Sequence, residues 1–477
     1  MNYKIFKISF LIYFFPTLLI GQSLTETKKF HVAGKSQYDD DLLSKEFHKK
    51  RRDALRAIMP DSSIAVFFSN PIRNRSNDIN FDFHQDPNFY YLTGLNEPNS
   101  LLIMFKENQE YDSIIDNELI FIQDKDPRKE VWDGRRKGKN GVKETLGFSS
   151  VFLNSQFPDF NIDFSDFKHL LFVPLLDDIR DNKEDRGDLF SLYKHFKIKM
   201  EAITAKVNDK PLKELMAALR EVKQPEELSL MRKAISMTCN AEIELMRALE
   251  PGMTEYQSQA IVEYFFKKLG SEHTGFPSIL GGGENSCILH YSTNRKKLNN
   301  PELLVVDIGA EYHGYTADVT RTIPVKGKYS LEQKLIYNIV LDAQDAGIAA
   351  CRAGNRFWEP NVKATEIIQK RLQELGILKR PGDVNKFFIH GTSHYLGLDV
   401  HDAGLFGNLT PGNVITVEPG IYIPEGSDCD PKWWNIGIRI EDDILVTDSD
   451  PEILSGIAPR SVEDIEKLMS EKSVFND

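Results

Sequence analysis

Cysteine is scarce. The chain has four, Cys239, Cys287, Cys351 and Cys429, spread over 477 residues with no CxxC pair. That spacing implies neither a zinc knuckle nor a disulfide framework. A basic stripe is also missing. Acidic residues outnumber Lys and Arg by 71 to 59, for a formal charge of -12, and no nucleic-acid partner is expected because a phosphate backbone calls for clustered cations. The runs Lys49 to Arg52 and Arg135 to Lys139 read as solvated faces. No repeat with a period of roughly 20 to 50 residues occurs, which excludes a solenoid. No apolar run reaches the ~20 residues of a spanning helix, so no permanent membrane span is expected.

The longest apolar run, "ISFLIYFFPTLLIG", follows Lys4 and Lys7 and gives way to the polar "QSLTETKK". This is the layout of a signal peptide over residues 1–21, followed by a mobile segment over 22–37. The expectation is export to a periplasm or the medium; an uncleaved signal acting as an anchor is the alternative. The length suits two domains, and the pattern after residue 38 is mixed α/β. "EFHKKRRDALRAIM" reads as an amphipathic helix and "SSIAVFFSN" as a buried strand. A boundary is placed at 212/213, where helical periodicity leads to a break at Pro225 with acidic residues behind it.

Two hairpins carry the chemistry. In "LLVVDIGAEYHGYTADVTRTIPV", a turn at His313-Gly314 puts Asp307 opposite Thr320 with Asp318 one diagonal step away. A turn at Tyr312-His313 opposes the two aspartates directly. In either register they share a face. "NVITVEPGIYIP" and "IGIRIEDDILVT" form a second hairpin with Glu418 opposite Glu441. Arg439 points to the same face as Glu441, placed to hold and orient a ligating carboxylate, whereas Asp442 and Asp443 read as a solvated strand face. Buried like charges are costly unless neutralised, and a divalent cation would neutralise them. "FFIHGTSHYLGLDVHD" adds His390, His394 and His401. Its glycines argue against a zincin-type helix, and one of the three histidines is expected as a ligand. Four carboxylates and one imidazole fit two manganese-like ions better than a closed tetrahedral zinc site. Such ions share and acidify a water, so hydrolysis is the expected chemistry.

These motifs resemble the aminopeptidase P and prolidase branch of the pita-bread metallopeptidases. The resemblance extends to "NFYYLTGLNEP" and "EVWDGRRKG" in the first half, and so to a smaller N-terminal α/β domain (38–212) before the α/β (α+β) pita-bread catalytic domain (213–477). It implies a pseudo-twofold, curved antiparallel sheet wrapped by helices. It also implies metal ligands Asp307, Asp318, His394, Glu418 and Glu441, with Asp318 and Glu441 bridging. His290 and His401 would contact substrate, His390 would line a proline pocket, and Glu418 would shuttle a proton for a cation-bridging hydroxide. The implied cofactors are two divalent cations, Mn2+ with Zn2+ or Co2+ as alternatives, and the implied partners are proline-containing peptides and further copies of the chain, as a dimer or tetramer. Phe276 stands about where some relatives carry a tyrosine near the metals. The implied activity is release of the residue before a second-position proline. A dipeptide-only prolidase is the alternative, disfavoured because the loop between Ile423 and Ile436 offers only Lys432 to hold a dipeptide's carboxylate. A silent peptide-binding protein is a further alternative, at odds with an intact ligand set.

Overall fold

The computed structural model describes residues 40–111, 114–175, 187–200 and 210–475. The expected signal peptide and mobile segment lie outside the described residues. Among the described residues no helix is long and apolar enough to cross a membrane, and all four cysteines are free.

Helix α1 (Lys45–Ile58) starts where the Ser44 side chain accepts from the Phe47 amide, satisfying a donor the helix cannot. Its inner face corrects one expectation. Arg52 is fully buried rather than solvated, with Nε and Nη2 donating to the Glu118 carboxylate at 3.0 and 3.1 Å. A planar guanidinium forked onto a carboxylate is an arrangement in which a buried charge is tolerated. Strand β1 (Ser63–Phe68) is buried along its length. After α2 (Pro87–Thr93) come β2 (Leu101–Tyr111), β3 (Ile114–Ile122), β4 (Val151–Leu153) and β5 (His169–Phe172), forming a sheet in the order β4-β3-β2-β1-β5.

The connection to the second half is a pair of helices, α3 (Lys210–Arg220) and α4 (Pro225–Ala248), with the 212/213 boundary falling inside α3. The break between them reads directly from sequence. Pro225 sits in the first turn of α4, where its missing N–H costs nothing, and the Gln224 amide donates to Glu227 Oε2 at 2.9 Å. There follow α5 (Glu255–Leu269), β6 (Ile279–Gly282), β7 (Leu303–Ile308), β8 (Ala310–Tyr312), β9 (Tyr315–Thr316) and β10 (Val319–Pro324). Next come α6 (Leu331–Ala349), α7 (Glu359–Glu374), β11 (Val414–Val417), β12 (Gly420–Ile423), β13 (Ile436–Arg439) and β14 (Asp442–Leu445). The first hairpin packs on α4, which pairs with α5; the second packs on α6, which pairs with α7. Each half is therefore a hairpin backed by two helices, and the acid-bearing faces turn inward between them.

Candidate metal centre

Of the two possible registers, the first hairpin adopts the one with His313-Gly314 as its turn. Both residues have positive φ, 50° and 83°, as a two-residue turn between right-twisted strands demands. Asp307 pairs with Thr320 and Ile308 with Val319. The ladder then breaks at Gly309, opposite Asp318, where a Cβ would meet the Ala317 carbonyl at 1.9 Å. This glycine lets the strand bend where the second aspartate must enter the site. The second hairpin pairs Val417 with Asp442 and Gly420 with Arg439, and that common register sets Glu418 opposite Glu441. Here too the ladder opens. The Glu418 amide donates to Thr392 O at 2.8 Å and the Glu441 amide to Thr320 O at 3.0 Å, stitching the hairpins to each other and to the histidine-bearing loop.

One cavity of about 280 Å³ gathers Asp307, Asp318, His394, Glu418, Glu441, His290 and His401, walled on its apolar side by Phe276, Pro277, Ile279 and Val400. His394 Nε2 lies 3.3 Å from Asp318 Oδ2 and 3.6 Å from Glu418 Oε1. One ligand atom each from Asp318, His394 and Glu441 falls within 4.8 Å of the others. Since His394 Nδ1 donates to the Tyr395 carbonyl at 3.1 Å, its Nε2 lone pair faces the acids. Burial lowers His394 to about 4, so the ring is neutral and able to ligate near pH 7. Asp307 Oδ1 and Asp318 Oδ1 are buried without any hydrogen-bond partner, an arrangement that is costly without a cation. Burial, followed by the Glu441, Asp307, Asp443 and Glu418 carboxylates, pushes Asp318 well up. Burial and then Glu441 do the same to Glu418. Burial and then Asp307 raise Glu441 to about 8, against the Thr320 hydroxyl, which donates to it at 2.7 Å, and Arg439. These groups fit divalent cations: hard oxygen donors, one imidazole, and buried lone pairs with nothing to accept from.

The remaining site residues divide. Arg439 Nη2 donates to Asp307 Oδ2 at 2.6 Å and Nη1 to the Tyr422 hydroxyl at 2.9 Å. His390 is placed beside the cavity rather than among its lining groups. Its Nδ1 donates to Gly391 O, and its Nε2 lies 2.8 Å from Tyr422 Oη, which extends the Arg439–Tyr422 chain; burial lowers it to about 4. His401 packs edge-on to His394 with ring centroids 4.5 Å apart, and burial, then His290, lowers its pKa. Tyr422 was not foreseen, because a tyrosine in an apolar strand reads as core. Asp442 and Asp443 are corrections. Neither is solvated; both are fully buried. Asp442 meets Arg321 Nη2 at 2.8 Å and the Ser455 hydroxyl at 2.5 Å, while Asp443 Oδ2 accepts from the Asp318 amide at 3.3 Å. The chain folds Arg321 and the Ser455 loop over that strand face, which local alternation does not reveal.

Comparison with known proteins identifies the family. Residues 229–448 match the model of metallopeptidase family M24, and residues 48–167 match the aminopeptidase P N-terminal domain. The chain is 34% identical over 449 residues to the Xaa-Pro aminopeptidase of Escherichia coli, covering 90% of this chain and 98% of that one. The structure of E. coli aminopeptidase P with the inhibitor Pro-Leu superposes with a TM-score of 0.79 at 32% identity, over 90% of this chain and 98% of the other. A zinc-substituted form of that enzyme in complex with product gives 0.78 at 31% identity, with the same coverage. With an N-terminal α/β domain and a pita-bread catalytic domain in the same order, the chain belongs to metallopeptidase family M24, in its aminopeptidase P branch.

Proposed function

We propose that this protein is a metal-dependent exopeptidase that releases the N-terminal residue from peptides with proline in second position. The observation that carries this reading is the convergence of Asp307, Asp318, His394, Glu418 and Glu441, with His290 and His401, on one cavity. Divalent cations held by those five side chains supply Lewis acidity toward the scissile carbonyl and lower the pKa of the attacking water. The oxygen-rich donor set favours manganese, with zinc and cobalt as alternatives.

The protein's own groups do the rest. Glu418 takes a proton from the attacking water and passes it to the departing proline nitrogen. His290 and His401 hold the carbonyl oxygen as charge develops on it, a preorganised contribution worth about 10²- to 10³-fold per donor by analogy with other oxyanion sites. Arg439 fixes the Asp307 carboxylate, and Phe276, Ile279 and Val400 keep bulk water from the reacting face. A bond to proline has no N–H and a fixed φ, so a site that grips side chains and carbonyls suits it better than one that pairs with backbone. Lys432, the cation that a dipeptide's carboxylate would need in this loop, instead lies 3.5 Å from Asp430 and over the Trp433 ring, which favours longer peptides over a prolidase. The test is turnover of Arg-Pro-Pro against Gly-Pro with added Mn2+ and after chelation. Cleavage of the tripeptide that chelator abolishes is expected, and cleavage of Gly-Pro alone would overturn the preference for longer peptides.

Two further parts belong to this reading. Lys4 and Lys7 ahead of the apolar run support export, to be checked by sequencing the mature N-terminus. Exposed Val131 and Trp132, 80% and 86% accessible, support self-association into a dimer or tetramer, to be checked by light scattering.

A further inference from the structure

The loop that brings His290 into the cavity runs from Gly283 to Lys296, and outside its short 3₁₀ turn (Gly283–Cys287) it has no regular structure. A loop of that kind does not hold a side chain still by itself. Arg439 Nη2 and the Gly437 amide touch it at Leu289 O and Ser286 Oγ, but the group that holds it at four points is Glu255, in the first turn of α5 and fully buried. Oε1 accepts from the Gly282 amide at 2.9 Å and Asn285 Nδ2 at 3.0 Å. Oε2 accepts from the Tyr291 hydroxyl at 2.8 Å and the Lys296 amide at 2.8 Å. The four donors lie before, within and after the segment that carries His290, and Tyr291 is its immediate neighbour. One turn further along α5, Gln259 Oε1 accepts from Asn294 Nδ2 at 2.9 Å, while Asn294 Oδ1 accepts from the Leu280 amide at 3.1 Å. One face of α5 therefore serves as the floor of the loop.

We propose that Glu255 is a positioning residue for the reaction: by accepting four hydrogen bonds, from Gly282 just before the Gly283–Lys296 loop and from Asn285, Tyr291 and Lys296 along it, it sets where His290 stands against the substrate carbonyl. Glu255 does not line the cavity, so its effect on turnover passes through His290. The inference rests on the role given to His290 above. A donor displaced by about an ångström loses most of its advantage in a preorganised site. Glutamine at position 255 keeps the size but turns an amide NH2 toward two donors, so the loop must shift.

The experiment is a double-mutant cycle on manganese-loaded protein with Arg-Pro-Pro as substrate, with metal content and melting temperature measured for every variant. Glu255→Gln is expected to lower kcat at least tenfold with KM changed less than threefold and bound manganese unchanged. In a His290→Ala background the same substitution is expected to change kcat less than twofold. An equal loss in both backgrounds would show that Glu255 acts on the fold at large and would overturn the proposal while leaving the peptidase reading intact. Wild-type turnover by His290→Ala alone would overturn both the role of His290 and the inference built on it. If Glu255→Gln does not fold, Tyr291→Phe, which removes one donor from the same carboxylate, goes through the same cycle with a smaller loss that must again vanish in the His290→Ala background.

Discussion

Asp318 and Asp402 are both buried aspartates, each 5% exposed, yet their surroundings push them in opposite directions. Burial raises both. At Asp402 that effect is overcome by Arg220 and Lys223, and its carboxyl ends below the ordinary aspartate value. Arg220 Nη2 meets Oδ1 closely and Lys223 Nζ lies 2.9 Å from Oδ2. At Asp318 the neighbouring carboxylates are Glu441, Asp307, Asp443 and Glu418, and every one adds to burial, while the adjacent His394 ring is neutral. The protein has therefore supplied two cations directly to Asp402, whereas at Asp318 no side-chain cation offsets the neighbouring carboxylates, and the one guanidinium of the cluster, Arg439, is engaged by Asp307. Asp402 follows His401 in the chain, and Arg220 also reaches Asn88 of the N-terminal domain at 2.8 Å. The fixed pair thus holds a cavity histidine and ties it to the linker helix.

The contrast predicts effects of opposite sign. On the proposed ligand set Glu441→Gln should weaken cation binding, and losing several kcal/mol of charge stabilisation in the transition state corresponds to about 10³-fold or more in kcat/KM. Bound divalent metal should fall with it. In chelated protein at pH 8 the same substitution should raise the melting temperature, because it removes one charge from a self-repelling cluster. Asp402→Asn should do the reverse. It leaves Arg220 and Lys223 buried without a full counter-charge, which costs about 3–5 kcal/mol of stability, with metal content unchanged. If both variants shift the chelated protein's melting temperature in the same direction, the distinction between the two clusters is lost.

A pH series separates them further. Glu441 is raised to about 8 in the folded protein, so the folded state binds more protons than the unfolded one above the ordinary glutamate value of about 4.3. Stability of the chelated protein must then fall as pH rises from there to about 8. Asp402 is lowered, so its contribution is present above the ordinary aspartate value of about 3.9 and is lost as pH falls through its folded value. Chelated Glu441→Gln should show a flatter melting curve between pH 5 and 8 than wild type, and Asp402→Asn a flatter one on the acid side. Equal slopes in wild type and Glu441→Gln would defeat the assignment.

The same contrast explains what could be read in advance. Strand alternation places Asp307 and Asp318 on one face in either register, and equal arm lengths oppose Glu418 and Glu441, so the pairing of these four acids is legible in the sequence. Their meeting depends on local hairpin geometry. His394 was not separable from His390 and His401 by spacing alone, since all three occupy an irregular loop; the resemblance supplied the choice. The charges that the fold itself neutralises do not read correctly from sequence. Asp442 is answered by Arg321 from the other hairpin, and Arg52 by Glu118, 66 residues away. A charge in an amphipathic pattern is indistinguishable from a solvated one until its partner is placed. Tyr422 and Glu255 escaped notice for related reasons: one resembles core, the other a helix-start acid, and only tertiary contacts show the hydroxyl on His390 and Arg439 and the carboxylate under the His290 loop.

An intermediate case lies at the tip of the first hairpin and carries the smallest effect. His313 presents Nε2 to Asp41 Oδ1 at 2.9 Å and Nδ1 to Glu272 Oε1 at 2.7 Å, and Asp41 also meets Lys233 and the Tyr312 hydroxyl. Here the cation is the protein's own but can titrate away. Burial opposes its charge, yet Glu272 and Asp41 raise its pKa above the ordinary histidine value. A raised histidine contributes stability that is fully present below about pH 6.5 and is lost as pH rises through the folded value. Glu272 is more than a third exposed, so the contribution is about 1 kcal/mol at most. Wild type and His313→Gln should therefore differ in melting temperature by about 1 °C at pH 5.5 and converge once pH has risen past the folded value, with activity and metal content the same in both. A difference that stays constant across that range would mean that His313 acts through packing at the turn, and the titrating cation would drop out as a distinct third arrangement.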